Sequence, residues 1–142
     1  MTRSSLVFFA VIALGGCDSR QTEANETALL LQRVQSYTDS EGPEQETSLE
    51  ALRAFKPTSS RVREARDSCV AAYSLVERAE RDHETAKKLL GEVTSGKRQL
   101  GETRGTIEGR IDRSNRAIEE ARPRINRCTR LLSDLKRETR QN

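Results

Sequence analysis

The chain has 142 residues, with 25 basic and 22 acidic side chains, one histidine, no tryptophan and three cysteines. Leu, Ile, Val and Phe supply only 22 of the 126 residues from Cys17 onward, below the range of ordinary globular cores, which excludes a large buried interior. Ala, Glu, Lys, Leu and Arg make up half of that stretch, a composition of long helices rather than of disorder.

At the N-terminus an apolar run, residues 6–14, follows a lone Arg3. A basic residue, a short apolar stretch and then small residues form the pattern of a cleavable export signal. Nine residues at about 1.5 Å each cover about 14 Å, far short of the ~30 Å hydrocarbon core, so the run is not expected to remain as a membrane span. It ends in Leu14-Gly15-Gly16-Cys17. This tetrapeptide resembles the lipobox of bacterial lipoproteins, in which an aliphatic residue and two small ones fit an extended peptidase groove and the cysteine thiol receives a diacylglyceryl group. Only the first seventeen residues take part in that likeness. It implies loss of residues 1–16, acyl chains on Cys17, and stable anchoring, since several chains hold a protein on a bilayer where one does not. The rest of the chain would face the periplasm or exterior of a bacterial envelope. In enteric members of that class, a residue like Asp18 resembles an inner-membrane retention signal.

Residues 17–57 carry eight acids against four bases. The spacing of Leu30, Leu31, Val34 and Tyr37 predicts a helix over 22–37, and Leu49, Leu52 and Phe55 predict a shorter one after Pro43. Neither is long enough to be stable alone. They are expected to pack over Val70, Tyr73, Leu75 and Leu131 at the base of the next unit; the competing reading is a flexible tether.

Residues 58–142 carry fourteen acids and twenty bases and predict an all-α unit, a long antiparallel helical hairpin. Alternate steps of three and four connect Val62, Ala65, Cys69, Ala72, Val76, Ala79, His83, Ala86, Leu90 and Val93. A second stripe connects Ile107, Ile111, Ser114, Ile118, Ala121, Ile125, Cys128, Leu132 and Leu135. Folding the chain back near residues 98 and 99 pairs positions whose numbers sum to 197, which sets Cys69 against Cys128 and places small residues opposite large ones in most layers. In an oxidising compartment the two thiols pair. A loop of that length contributes about 4 kcal/mol in the chain-entropy model. Five glycines from Gly91 to Gly109 predict a loose turn over 94–104. Helix starts are expected at residues 58–60, the last turn carries Lys136, Arg137 and Arg140, and Pro123, on the outward face, is expected to kink the second helix.

Signals for chemistry are weak. Gly91 to Lys97 follows the start of a phosphate-binding loop, but Arg98 replaces the magnesium-binding hydroxyl and no strand precedes it. His83 opposite Ser114, with Glu80 and Asp82 nearby, raises a nucleophilic triad, yet a straight two-helix seam offers neither a cleft nor an oxyanion hole. One histidine with Glu80 and Glu84 falls short of the three or four ligands that zinc takes. No enzymatic activity, cofactor or metal is therefore expected. The working surfaces are expected to be the tip, through Lys97, Arg98 and Arg104, and an Arg-rich face including Arg110, Arg113 and Arg116. Arginine forks suit phosphate and carboxylate, although interleaved acids such as Asp112 and Glu120 also read as helix support. Two functions follow: a non-enzymatic module that binds an envelope protein as scaffold, assembly factor or inhibitor, or a protein that binds anionic polymer or lipid headgroups and bridges membranes. Nucleic acid is disfavoured by the exported location and by having Tyr37, Phe55 and Tyr73 as the only aromatics after the signal.

Overall fold

The computed structural model describes residues 16–140, with side chains from Ser19 onward. Leu14 and Gly15 of the lipobox-like tetrapeptide, and the side chains of Cys17 and Asp18, lie outside the described residues. Four helices follow one another: α1 (Gly16–Asp39), α2 (Pro43–Ala54), α3 (Ser60–Thr94) and α4 (Leu100–Arg140). None is long and apolar enough to cross a membrane.

The long helices have local reasons for their ends. Ser59 caps α3, its hydroxyl accepting from the Val62 N–H, with buried Pro57 two residues earlier. At the other end Gly96 takes φ 73°, its N–H donates to Val93 O, and the Lys97 N–H donates to Glu92 O at 2.9 Å. This pair of bonds satisfies carbonyls that the helix leaves open, and the left-handed residue it needs is glycine. The turn is thus residues 95–99, tighter than the glycines alone predict: Gly91, Gly101, Gly105 and Gly109 all lie inside helices. Gly42, at φ 58°, plays the matching part between α1 and α2, where its carbonyl accepts from Gln45 and Glu46 ahead of Pro43 at the start of α2. Helix α4 continues through Pro123, which faces solvent, so the ring costs one backbone hydrogen bond on the outer side without ending the helix.

Helices α3 and α4 form the antiparallel hairpin, with the Cys69–Cys128 disulfide joining them at a Cα separation of 4.8 Å. Below and around that bond the hairpin has a third layer. Leu30, Val34 and Tyr37 of α1 and Leu49 and Leu52 of α2 form one core with Val62, Ala65, Cys69, Ala72, Tyr73, Cys128 and Leu135, and Phe55, Val70, Ile125, Leu131 and Leu132 pack against it. The N-terminal segment is a packed layer rather than a tether, covering Val70, Tyr73 and Leu131 as their exposure requires. The Tyr37 and Tyr73 rings stack with centroids 4.2 Å apart, and the Tyr73 hydroxyl lies 3.8 Å from Cys128 Sγ.

Acids of α1 bind the start of the hairpin. Glu26 accepts from the Thr58 N–H and hydroxyl and from the Ser59 N–H, and Glu23 accepts from the Ser59 hydroxyl at 2.6 Å. Burial raises the Glu26 pKa, but the hydrogen bonds from Thr58 and Ser59 and the charge of Arg63 outweigh it and leave the carboxyl below its usual value. Arg61 links Glu23 to Glu138 near the end of α4.

Toward the turn the seam departs from the expected heptad. Asp82, Ala86, Thr103, Ile107, Ser114 and Ala117 are buried, whereas His83 is exposed and Leu90, Ile111 and Ile118 keep 52%, 43% and 36% of their surface. Two helices without a third enclose only the narrow line between them. Apart from Ile107 the residues on that line are small or polar, and Leu90, Ile111 and Ile118 remain on its flank.

Candidate functional site

The proximal and distal halves of the hairpin differ in what covers them. Helix α1 runs beside α3 in the same direction, with Glu23 at Arg61 and Tyr37 at Tyr73. Its end and the turn into α2 reach as far as Ala79, Glu80, His83, Glu84, Ser114 and Ile118, and with them line an open depression. Beyond that level no other helix among the described residues lies on the hairpin. Leu90 and Ile111, each seven residues toward the turn from His83 and Ile118, therefore lie on the same face one heptad further out. With Leu100, which is 53% exposed, they extend the apolar stripe past the point where its cover stops.

The six basic residues expected as contacts, three at the tip and three on the Arg-rich face, have different surroundings. Lys97 and Arg98 lie exposed in the turn, and Arg98 pairs with Glu92 at 2.5 Å. Arg104 pairs with Glu108 one turn along α4 at 2.8 Å. Arg116 is exposed. Arg110 and Arg113 turn inward across the seam to Asp82, Arg110 Nη1 at 2.5 Å from Oδ1 and Arg113 Nε at 3.5 Å from Oδ2. The Asp82 side chain is only 7% exposed. The hydrogen bond from Arg110 holds its carboxyl below the usual carboxylate range against the effect of burial, with Arg113 adding to it. A buried carboxylate facing two guanidiniums locks the rotation of α3 against α4.

Asp82 is the residue that sequence reasoning missed. The heptad count assigned the seam to its neighbour His83, yet the acid at 82 and the base at 113 fall within two residues of the antiparallel register, with a second base one turn away at 110, which was the available signal. His83 and Ser114, expected opposite each other, do not meet: the Ser114 hydroxyl donates to the Ala79 carbonyl at 2.9 Å, while the His83 side chain is exposed and lines the open depression. Residues 91–94 form the last turn of α3, so the phosphate-loop likeness has no strand and loop behind it. Among the described residues no group of His, Cys, Asp and Glu could hold a metal ion.

No protein-family model, no curated protein and no solved structure matches this chain.

Proposed function

We propose that this chain is a membrane-anchored envelope lipoprotein, without enzymatic activity, that binds another protein through the uncovered distal half of its hairpin. The observation that carries this reading is the break in cover. An apolar flank that α1 and α2 bury in one half stays open in the other at Leu90, Leu100 and Ile111, with Ile118 at the margin of the cover. Scattered surface leucines need no explanation, but a row that continues a buried interface fits a docking face.

The anchor reading rests on the lipobox-like tetrapeptide and on placement. Helix α1 begins at Gly16, and its Glu23 contacts the start of α3, so an acyl group on Cys17 would hold the base of the hairpin to the bilayer. The 35 residues of α3 then carry the turn about 50 Å outward at 1.5 Å per residue. That reach suits a scaffold, assembly factor or inhibitor whose partner stands away from the lipid surface.

The test is in-cell cross-linking and co-purification with Ile111→Glu combined with Ile118→Glu. The expected result is loss of a partner that the wild type captures, with Cys17 acylated in both by mass spectrometry of the membrane fraction. Retention of every partner would sink the docking face; an unmodified Cys17 would sink the anchor.

A further inference from the structure

On the other side of the seam from His83 and Ile118, Arg78, Arg81, Asp82 and Thr85 of α3 and Arg110 and Arg113 of α4 line a depression of about 350 Å³. We propose that this depression is a binding site for a phosphate group, gripped by the four guanidiniums from both helices. It is a different face from the apolar docking stripe and does not depend on it.

Charge is the first argument. Four arginines surround a single lining carboxylate, and Glu77, paired with Arg81 at 2.7 Å, still leaves the cluster with excess positive charge. Arg78 makes no ion pair among the described residues. Arg127 and Arg137, by contrast, each have a carboxylate of their own, Glu64 and Asp134.

Preorganisation is the second. Asp82 lies beneath Arg110 and Arg113 and fixes both guanidiniums before any ligand arrives, so less side-chain entropy is lost on binding. Each guanidinium has five N–H donors, and Asp82 can accept from only a few of them. The Thr85 hydroxyl is already committed to the Arg81 carbonyl at 2.7 Å, which leaves the arginines as the recognising groups.

A carboxylate ligand would bring one charge and two acceptor oxygens. A phosphate monoester brings about two charges and three terminal acceptor oxygens at neutral pH, and inorganic pyrophosphate brings more of both, which suits forks converging from two helices. The depression also exceeds the volume of one phosphate, so it has room for the group that bears it.

The test uses the intact chain at low ionic strength, titrated calorimetrically with sodium pyrophosphate and, in a second arm, mixed with vesicles of phosphatidic acid, whose headgroup is a phosphate monoester, in a sedimentation assay. Arg78→Ala with Arg81→Ala leaves the Asp82 bridge in place, so helicity and melting should stay as in the wild type. Pyrophosphate binding is expected to weaken at least tenfold. Arg78→Lys with Arg81→Lys, which keeps the charge and removes the forks, is expected to weaken it several-fold. Arg122→Ala with Arg130→Ala removes equal charge elsewhere on α4 and is expected to stay within twofold of the wild type. Vesicle binding that pyrophosphate competes away would identify a lipid headgroup as the source; pyrophosphate binding without vesicle binding would identify a soluble phosphate compound. Absence of binding in both arms, or equal weakening by the 78/81 and 122/130 pairs, would overturn the proposal.

Discussion

The two halves of the hairpin are built from the same two helices and held by different means. Near the base, a disulfide, a stacked tyrosine pair and a third layer of α1 and α2 enclose leucines completely: Leu30, Leu49 and Leu52 have no exposed surface. Toward the turn, Ala86, Thr103, Ile107, Ser114, Ala117 and the buried Asp82 carboxylate hold α3 to α4, and Leu90, Leu100, Ile111 and Ile118 stand partly out of the contact. Apolar burial contributes in proportion to the area removed from water, so most of the stability belongs to the covered half. The bare half keeps its shape through covalent continuity with it.

That contrast can be broken most severely at the covalent link. Replacing Cys69 and Cys128 together by serine removes the constraint on a loop of 59 residues' separation and should cost about 4 kcal/mol, read as a lowered urea midpoint. Truncation then sorts the halves. Leu52→Ala should cost about 3 kcal/mol, whereas Leu90→Ala should cost no more than about 0.5 kcal/mol. Equal losses in chemical denaturation would erase the distinction between the halves.

Smaller changes sharpen it. Gly101 and Gly105 are helical and have nothing within 4 Å of where a Cβ would stand. Alanine at each should therefore stabilise the distal helix by up to ~1 kcal/mol, visible as slower amide exchange near the turn. Thr27 is buried, and its hydroxyl has no hydrogen-bond partner among the described residues. Thr27→Val should raise the melting temperature of the covered half, by about 1 kcal/mol of stability. Glu26 supplies a pH handle. Its folded pKa lies below the ordinary value of 4.5, so the carboxylate stabilises the fold fully above about pH 4.5 and loses that contribution as pH falls through the folded value. Glu26→Gln should flatten the acid limb of melting temperature against pH and cost about 1 kcal/mol at neutral pH.

Much of this architecture was legible in the sequence because it rests on periodicity and on two cysteines. Spacings of three and four, reflected about one point, were enough to pair Cys69 with Cys128 and to give the direction of both helices. Leu30, Val34, Tyr37, Leu49 and Leu52 likewise announced apolar faces that need cover. The distal seam was harder to read. Which of Asp82 and His83 enters the contact depends on a rotation of less than one residue's arc, and charge decided it: a carboxylate with two guanidiniums across from it can be buried, and an imidazole without a partner gains nothing there. The surroundings of the six expected contact residues were hard to read for the same reason, since the partners of Arg98, Arg104, Arg110 and Arg113 lie in three dimensions and only some lie one turn away in the chain.

The position of the sulfur bridge has a mechanical consequence. The rods are tied together twice, by that bridge and by the five-residue turn that carries Gly96. Between the two ties the chain is a closed ring, so the distal half can loosen only as a bubble between fixed ends. Any load applied at the turn is passed to the bridge before it reaches the layers beneath.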